Sequence, residues 1–571
     1  MSVNKKDVIR LLEKIAIYME LKGENPFKIS AYRKAAQSLE RDDRSLSEIK
    51  DFTTLPSIGK GTAAVITEYI ETNRSETLQQ LEDEIPKGLI PLLTVPGLGG
   101  KKLARLYQEL EITDESSLRQ ACEEGKVSTL KGFGKKSEEK ILEALNNSGK
   151  RPSRLALPIA LSVKERMEAY LDTIAEIQRY SIAGSMRRFR EDVKDLDFII
   201  ATEHPERVKE KLLAYDDLEE VIAAGDTKIS IIASGQYPIN VDFRLVKQEE
   251  FITTLHHFTG SKDHNVLLRQ LAKSQGKKIS EYGVEDVETN EVTTFESEAE
   301  FFASFGLPYI PPEIREGKEE LDLHEEDLSF VSEKDIVGDL HMHTTWSDGG
   351  QSIEEMVQYA RKKGYEYIAI TDHSQFLRVA NGLTEERWYK QREEIERVRE
   401  KYDDIHIFTG IEMDILPDGT LDFSDEVLKD IDFVIASIHS SFNQDQETIH
   451  KRLQTALNNP YVDMIAHPTG RLLGRREGYP VDIEWLINQA KETNTILELN
   501  ANPNRLDLSA KWVGLAQEQG VSIAINTDAH SFSMLEHMKY GCGTARRGKI
   551  KKETVVNTWS KESLLHYLQE K

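Results

Sequence analysis

The sequence has few cysteines, no long hydrophobic run and no excess of positive charge. Its only two cysteines among 571 residues, Cys122 and Cys542, support neither a disulfide framework nor a cysteine metal site. No apolar stretch approaches the length that spans a bilayer, and the amphipathic opening of the chain has no signal-peptide core. These absences predict a soluble cytoplasmic protein without a membrane partner.

The net charge of −25 argues against indiscriminate binding to polyanions. Carboxylates that collect divalent cations make a chain acidic without excluding nucleic acid, because the bound ions invert the local field. The length corresponds to about three or four domains, each large enough to bury its own core.

Seven short apolar runs follow one another in the C-terminal part of the chain, separated by polar, helix-like segments. The runs are 336–340, 367–370, 405–411, 433–438, 462–466, 496–499 and 521–525. Strands that alternate with helices and are buried on both faces form a parallel sheet, and in a closed barrel their C-terminal ends lie on one face. Seven units predict a barrel one strand short of the usual eight.

Six of these seven runs end at or near a residue that binds metals, and Asp348 follows in the loop after the first run. The sixth run, which ends near Glu498 and Asn500, offers no obvious ligand. The predicted ligands are His341, His343, Asp348, His373, Glu412, His439, His467, Asp528 and His530.

Imidazoles and carboxylates suit zinc, manganese or iron. One such histidine alone would more often be structural, so the prediction depends on the repetition. Nine ligands exceed what one ion needs, which predicts two or three ions and phosphoester hydrolysis as the reaction.

The N-terminal part repeats one glycine-containing design three times, in residues 55–61, 95–101 and 130–136. Glycines permit close approach and positive φ, and amides at the start of the following helix can meet a phosphate. One such hairpin would be weak evidence, since it also serves as an ordinary helix connection. Three copies predict DNA contacts at Gly59, Gly61, Gly97, Gly99, Gly132 and Gly134.

The middle of the chain places Asp195 and Asp197 two residues apart in a strand-like segment, and Asp242 lies in a later one. On a strand this spacing puts both carboxylates on one face, where they can share two hard cations such as Mg²⁺ or Mn²⁺. Three converging carboxylates with two such ions suit an in-line phosphoryl displacement. Ser185 and Arg188 are then expected to bind the leaving polyphosphate. An isolated Asp-x-Asp would more often be an exposed turn or strand edge, so the prediction depends on this context.

The C-terminal motifs 341–343, 347–349, 371–373, 466–468 and 528–530 resemble those of the polymerase and histidinol phosphatase (PHP) family of trinuclear metal phosphoesterases. The resemblance implies three ion sites in a distorted barrel. One would be held by His341, His343, Glu412 and Asp528, a second by Asp348, His373 and His467, and a third by Glu412, His439 and His530.

Residues 1–320 resemble a family X DNA polymerase, through Gly184 and Ser185, the aspartates and the segment 257–261. The resemblance implies that Asp195 and Asp197 bind both ions and that Asp242 activates the primer 3′-hydroxyl. The nucleotide contacts that it implies are Gly184, Ser185, Arg188, His257, Phe258, Thr259, Gly260, Asn265 and Arg269, with Gly260 facing the incoming sugar.

Residues 1–80 resemble the small N-terminal domain of polymerase beta, in which Lys28 and Tyr32 match positions that contact a downstream 5′-phosphate. The lysine that this family uses as a Schiff-base nucleophile corresponds to Val65, which argues against lyase activity by that route.

The predicted fold is multidomain, α+β and α/β. Its predicted parts are an N-terminal helical domain (1–80), helix-hairpin-helix fingers (81–150), a nucleotidyltransferase palm (151–245), a thumb (246–316), an acidic solvated linker (317–335) and a seven-stranded (β/α) barrel (336–571).

The leading functional hypothesis is a monomeric DNA-directed DNA polymerase that uses dNTPs to fill short gaps at gapped or nicked DNA. Its barrel would act as a 3′–5′ exonuclease and cleave abasic sites, in base excision repair. One alternative is a phosphatase or nuclease guided by the hairpins, with an inactive polymerase core. Another is a scaffold that binds DNA ends without catalysis.

Overall fold

The computed structural model describes residues 5–40, 49–93, 98–148 and 154–569, together with the single residues 3, 42, 46 and 95. Among these residues, none of the helices combines the length and apolar character needed to traverse a bilayer.

The N-terminal region is helical and packs around two hydrophobic cores that share its first helix. Val8 and Leu12 of that helix face one core, whereas Leu11 and Ile15 face the other. Apolar residues at this spacing line two sides of one helix, so α1 links the two cores. The helices are α1 (Lys5–Lys22), α2 (Pro26–Glu40), α3 (Lys60–Thr72), α4 (Glu76–Glu84), α5 (Leu89–Leu92), α6 (Gly100–Leu110), α7 (Glu115–Glu123) and α8 (Lys135–Ser148).

A mixed five-stranded sheet forms the palm, with strand order β2-β4-β7-β6-β5. Strands β4 and β7 are parallel, and the other neighbours are antiparallel. The elements are β1 (Leu155–Ala156), α9 (Leu157–Leu171), β2 (Arg179–Ile182), α10 (Gly184–Arg187), β3 (Asp192–Val193), β4 (Asp195–Ala201), α11 (Pro205–Leu213), β5 (Leu218–Ala224), β6 (Lys228–Ala233) and β7 (Ile239–Val246). Along β7, buried and half-buried residues alternate, so one face of this strand packs on the core.

The thumb follows as α12 (Phe251–Thr259), α13 (Lys262–Ser274), a small antiparallel sheet of β8 (Lys277–Ile279), β9 (Val284–Asp286) and β10 (Val292–Thr293), and α14 (Glu298–Ala303). Its core contains Phe301, Phe302 and Phe305.

Residues 317–335 differ from the solvated linker that their composition predicts. Leu321, Leu328 and Phe330 pack against the thumb core. The carboxylate of Glu320 is buried, where Oε1 lies 2.9 Å from Nδ1 of His264 and accepts a 2.6 Å hydrogen bond from the amide of Gly317. The few apolar residues of the segment, together with one satisfied buried carboxylate, suffice to dock it, which corrects the prediction.

The C-terminal region contains seven parallel strands that pair in chain order, from β11 to β17. The elements are β11 (Gly338–Asp339), α15 (Ile353–Lys362), β12 (Tyr367–Ile370), α16 (Glu385–Arg399), β13 (His406–Asp414), α17 (Asp425–Leu428), β14 (Phe433–Ser437), α18 (Gln446–Leu457), β15 (Met464–Ile465), α19 (Ile483–Glu492), β16 (Ile496–Asn500), α20 (Ala510–Gln519), β17 (Ile523–Asn526), α21 (Met538–Arg547) and α22 (Lys561–Gln569).

The first and last strands approach each other, so the sheet forms a nearly closed barrel. Met342 and Ala529 form a parallel bridge, and the amide of His343 donates to the carbonyl of Ala529 at 2.8 Å. Four of the outer helices begin with a side-chain cap, from Ser352, Thr384, Asp445 and Asp482. These caps satisfy amides at the helix starts, where the loops from the strand ends turn into helices.

The barrel also contacts the palm. Arg471 forms a bidentate ion pair with Glu191, at 2.7 and 3.0 Å. The hydroxyl of Tyr540 donates to Glu165 at 3.0 Å, and the ring of Phe189 lies against Gly543, where a side chain would collide with it.

Candidate metal centres and nucleic-acid contacts

The aspartates of the palm converge because β4 and β7 are parallel neighbours. Asp197 is the register partner of Asp242, and Asp195 lies two residues before Asp197 on the same strand face. Burial, followed by the charges of Asp195 and Asp242, raises the pKa of Asp197 to about 7. Nζ of Lys228 lies 3.5 Å from Asp242 and is a nearby positive charge. Crowded carboxylates of this kind favour binding of divalent cations.

The turn before α10 allows the backbone to approach these carboxylates closely. Gly184 has φ +61°, and a Cβ there would collide with the carboxylate of Asp197. Glycine alone fits both the conformation and the space. The turn leads directly to Ser185 and Arg188, the residues predicted to bind the polyphosphate.

The residues predicted to contact the nucleotide form one connected group. Nη1 of Arg188 donates to the carbonyl of Thr259, and a Cβ on Gly260 would lie 3.3 Å from the same Nη1 atom. Nδ2 of Asn265 donates to the carbonyl of His257 at 2.8 Å, and Nη2 of Arg269 lies 3.2 Å from Nδ1 of His257. The guanidinium of Arg244 packs 4.6 Å above the ring of Phe258.

All nine predicted barrel ligands lie at the C-terminal end of the sheet. Eight of them form three groups in which the candidate ligand atoms lie within 4.8 Å of one another, and Nε2 of the ninth, His467, lies 2.9 Å from Oε1 of Glu412. The groups are His343, Asp348, His373 and His530; His341, His343 and Asp528; and His373, Glu412 and His439.

Glu412 is central to this cluster. Its Oε2 atom lies 3.4 Å from Nε2 of both His341 and His343, and 2.8 Å from Nδ1 of His373. Its Oε1 atom lies 2.9 Å from Nε2 of His467 and 3.2 Å from Nε2 of His439. A carboxylate with imidazoles at both oxygens is arranged as a bridge between ions.

The contacts of two histidines differ from the partition that the family resemblance implies, because His467 and His530 exchange places. His467 meets Glu412, on the side of His439. His530 instead meets Asp348, at 3.1 Å between Nε2 and Oδ1. Asp348 comes from the loop after β11, and barrel closure brings that loop beside β17 and His530 rather than beside β15 and His467.

The donor set fits divalent cations. Oε2 of Glu412, Nε2 of His341 and Oδ1 of Asp348 are buried and have no hydrogen-bond partner. Buried polar atoms without a partner are costly unless a ligand satisfies them, and these atoms face other imidazole and carboxylate donors. His341, His343, Glu412 and Asp528 would hold one ion, Glu412, His439 and His467 a second, and Asp348, His373 and His530 a third.

Burial and neighbouring charges shift the pKa values of the histidines in the barrel cluster. Burial opposes a positive charge on His439, but Glu412 and Asp414 raise the pKa of His439 to about 10. Burial and the neighbouring His530 and His373 lower the pKa of His343 to about 3. Free of ions, the cluster therefore holds protons that a metal ion must displace.

Three polar residues that support the ligands escaped the sequence analysis. Oε1 of Glu498 lies 2.7 Å from Nδ1 of His341, and Oδ2 of Asp414 lies 3.1 Å from Nδ1 of His439. Nε of Arg505 lies 3.5 Å from Oδ2 of Asp528. The position of Glu498 at the end of the sixth run was an available signal, as was the two-residue spacing of Asp414 from Glu412. Nothing in the sequence distinguishes Arg505.

Two of the three glycine hairpins share the backbone geometry at the start of the following helix. Gly59 and Gly99 precede α3 and α6 with φ −85° and ψ 170° or 169°, and neither cap has a side-chain hydrogen bond. A Cβ on Gly59, Gly61, Gly99 or Gly134 would meet nothing within 4 Å, so these backbones are open to a ligand. Gly132 has φ +93°, and Gly97 lies outside the described residues.

Lys28 and Tyr32 lie one helical turn apart on α2, so they share a face. Lys28 pairs weakly with Glu24 at 3.4 Å and remains 65 % exposed, free to meet an anion. Val65 is buried in the helical core, where it has a packing role.

Four family models match the chain. A helix-hairpin-helix domain matches residues 3–75, and a SAM-like helix-hairpin-helix tandem matches residues 89–147. The DNA polymerase beta thumb matches residues 254–316, and the PHP domain matches residues 339–502.

The fold and the two centres define a class, the bacterial family X DNA polymerases with a C-terminal PHP domain, and the chain belongs to this family. A full-length relative is DNA polymerase/3′-5′ exonuclease PolX of Bacillus subtilis, 57% identical over 567 residues, which are 99% of this chain and 100% of the relative. A probable phosphatase of Thermoanaerobacter sp. is 31% identical over 250 residues, 41% of this chain and 96% of the relative. Another, from Caldanaerobacter subterraneus, is 30% identical over 249 residues, 41% of this chain and 92% of the relative.

Proposed function

We propose that this chain is a DNA-directed DNA polymerase that fills short gaps in DNA, with a separate metal-dependent 3′–5′ exonuclease in its barrel. The observation that carries the proposal is that one chain brings together two clusters of candidate ligands, the aspartates on β4 and β7 of the palm and the histidines and carboxylates of the barrel. The full-length relative, whose name contains both activities, supports the same pairing.

In the palm, Asp195, Asp197 and Asp242 hold Mg²⁺ or Mn²⁺. These ions, when bound, supply charge neutralisation and Lewis acidity for an in-line displacement. Asp242 accepts the proton of the primer 3′-hydroxyl, Ser185 and Arg188 bind the leaving polyphosphate, and Gly260 leaves room for the incoming sugar. Asn265 and Arg269 lie near the nascent base pair.

In the barrel, the nine ligands hold two or three ions, with manganese, zinc or iron as candidates. Bound ions of this kind supply an ionised water at neutral pH. Glu412 orders the centre from both of its oxygens, and Glu498 orients His341. The expected substrates are the 3′ end of a DNA strand and the phosphodiester at an abasic site.

DNA is held by the glycine hairpins through backbone amides, which need no positive charge and read no sequence. Lys28 and Tyr32 bind the downstream 5′-phosphate of a gap, which suits base excision repair. We expect a monomer in the cytoplasm.

A primer-extension assay on gapped DNA with dNTPs and Mg²⁺ or Mn²⁺ tests the polymerase proposal. The wild type should extend the primer and Asp242→Ala should not, whereas Asp226→Asn, at a side chain that is 85% exposed, should extend normally. Failure of the wild type, or undiminished extension by Asp242→Ala, would refute the proposal.

One variant in each centre tests whether the two activities are separate. His341→Ala should abolish shortening of a labelled strand from its 3′ end while extension by the palm continues, and Asp242→Ala should do the reverse.

A second candidate function is a hairpin-guided phosphatase or nuclease with an inactive palm. The similarity of the barrel to proteins named probable phosphatases favours it. It predicts that His341→Ala abolishes every turnover and that Asp195→Ala changes none.

A further inference from the structure

A single arginine of the barrel touches both the palm and the thumb. Arg547 is the last residue of α21, and its Nη1 atom donates to Oε1 of Glu316 at 2.8 Å. The same nitrogen lies 3.2 Å from the carbonyl of Arg188 and 3.3 Å from the carbonyl of Glu313. One guanidinium therefore joins the barrel, the end of the thumb and the loop that carries the polyphosphate-binding residue.

Glu316 faces three guanidinium groups at unequal distances. Arg547 lies within hydrogen-bond reach, but Nε of Arg188 and Nη1 of Arg190 lie 3.9 and 3.8 Å away. A charge-assisted hydrogen bond is much stronger than an ion pair without contact, so Glu316 is held by Arg547.

Arg188 keeps a donor free as a result. Its Nη1 atom donates to the carbonyl of Thr259, and its Nε atom is buried without a hydrogen-bond partner. Burial lowers the pKa of Arg188, the charge of Glu316 raises it, and the weaker effects of Arg547, Arg190 and Arg154 lower it. Three other arginines therefore lie close enough to Arg188 to attract an anion to this site, and Glu316 is the carboxylate that opposes them.

We propose that Arg547 is a positioning residue of the polymerase site, which holds Glu316 away from Arg188 and so keeps Arg188 available for the polyphosphate of the incoming nucleotide. This inference rests on the proposed polymerase function. It gives the PHP barrel a part in nucleotide binding by the palm, which acts through Glu316 and Arg188.

The mechanism is a competition for one carboxylate. Without Arg547, the cations nearest to Glu316 are Arg188 and Arg190, and a movement of about 1 Å would bring Glu316 into hydrogen-bond range of Arg188. The polyphosphate would then have to displace a carboxylate. The expected consequence is weaker dNTP binding with little change in the chemical step.

Steady-state extension of a gapped primer tests this effect. Arg547→Ala should raise KM for dNTP about 10-fold with kcat changed by less than about 2-fold, since a lost charge-assisted contact corresponds to roughly that factor. Product inhibition by pyrophosphate should weaken by a similar factor. Arg547→Lys keeps the charge but loses the planar fork, so its KM for dNTP should lie between those of the wild type and Arg547→Ala.

The double variant Arg547→Ala/Glu316→Gln distinguishes positioning from general damage. With the competing charge removed, KM for dNTP should return to within about 3-fold of the wild-type value. Glu316→Gln alone should leave KM for dNTP unchanged or lower it.

Arg546→Ala is the matched control. Arg546 lies on the same helix and forms ion pairs with Glu313 at 2.6 and 2.8 Å, without a contact to Glu316. The Arg546→Ala variant should lower the apparent Tm by as much as Arg547→Ala does, without raising KM for dNTP.

Unchanged KM in Arg547→Ala would overturn the inference, as would a double variant as impaired as the single one or a rise in KM for Glu316→Gln. If Arg547→Ala fails to fold, seen as loss of 3′ shortening by the barrel, then Arg547→Lys and Glu316→Gln decide by the same criteria. Failure of the wild type to extend a primer would count against the polymerase proposal itself.

Discussion

Glu498 shows how a residue outside the ligand set can govern a metal centre. It is fully buried, with Oε1 at 2.7 Å from Nδ1 of His341 and Oε2 accepting from the amide of His467 at 2.7 Å. A carboxylate on the far nitrogen fixes the tautomer and ring orientation of a ligating histidine. Glu498 thus aligns two ligands from two strands.

We therefore expect Glu498→Gln to weaken Mn²⁺ binding to the barrel by about 10- to 100-fold, the usual effect of removing such support. Isothermal titration calorimetry measures this affinity, and Glu492→Gln, at an exposed residue that ends α19, is the control. Equal affinity in Glu498→Gln and the wild type would contradict this role.

His439 links metal binding to pH. Glu412 and Asp414 raise its pKa to about 10 in the metal-free protein, from an ordinary value of about 6.5. The stability that this histidine contributes without metal is complete below about pH 6.5 and is lost as pH rises through about 10. Metal must displace the proton, so Mn²⁺ affinity should increase between pH 7 and pH 9.

Isothermal titration calorimetry with Mn²⁺ in two buffers of different ionisation enthalpy counts the protons that the protein releases when the metal binds. The wild type should release at least one at pH 7, His439→Gln should release fewer, and His450→Gln, at a histidine that stacks on Trp485, should match the wild type. Binding without proton release in the wild type would contradict the assignment.

At the scale of elements, the turn that begins α10 connects the palm sheet to its chemistry. Its positive φ and the closeness of the Asp197 carboxylate require glycine at position 184. We expect Gly184→Ala to reduce primer extension at least 100-fold, because a displaced carboxylate misaligns the ions. Gly276→Ala, at φ +71° with nothing within 4 Å, carries the same backbone strain without the collision and should extend normally.

The barrel's 3′ shortening activity should survive Gly184→Ala, since that turn lies outside the barrel. Near-normal extension by Gly184→Ala would show that the turn does not constrain Asp197.

The glycine hairpins are predicted to bind DNA, which a double variant can test. A Cβ on Gly59 or Gly99 would meet no protein atom within 4 Å, so Gly59→Val/Gly99→Val should leave the apparent Tm nearly unchanged. The added bulk should nevertheless keep phosphates from the helix amides and weaken binding to gapped DNA about 10-fold or more. Fluorescence anisotropy measures this affinity. Unchanged affinity would remove these hairpins from the DNA interface.

For the whole molecule, the palm and barrel are joined by a part-buried ion pair. Arg471 and Glu191 are 19% and 32% exposed and pair through two hydrogen bonds. A double-mutant cycle with Arg471→Met and Glu191→Gln should give a coupling energy of about 1 kcal/mol from shifts in apparent Tm.

The exposed helical pair Lys390 and Glu386, 60% and 79% exposed, is the matched control and should give less than about 0.5 kcal/mol. Equal coupling in the two pairs would mean that the palm and barrel are not held by this contact.

Much of the architecture could be predicted from local patterns. The run 367–370 coincides with β12, and the runs 433–438 and 496–499 differ from β14 and β16 by one residue. The Asp195 and Asp197 spacing gave the correct strand face. Apolar periodicity is a property of neighbouring residues, which explains why these features could be read directly.

Long-range relations could not be predicted in this way. The exchange of His467 and His530 between ion groups depends on how the barrel closes, and the docking of residues 317–335 depends on one satisfied buried carboxylate, that of Glu320. The contact of Arg547 with Glu316 joins positions 231 residues apart.

The amino-acid sequence by itself determined the strands, the glycine turns and the chemical types of the ligands, because these follow from residue periodicity, conformational preference and donor chemistry. Only the tertiary structure decided which ligands share an ion, which buried groups orient them and which barrel residue reaches the palm. Those outcomes depend on angstrom-scale distances between segments far apart in the chain, and these distances are set by strand register and domain packing.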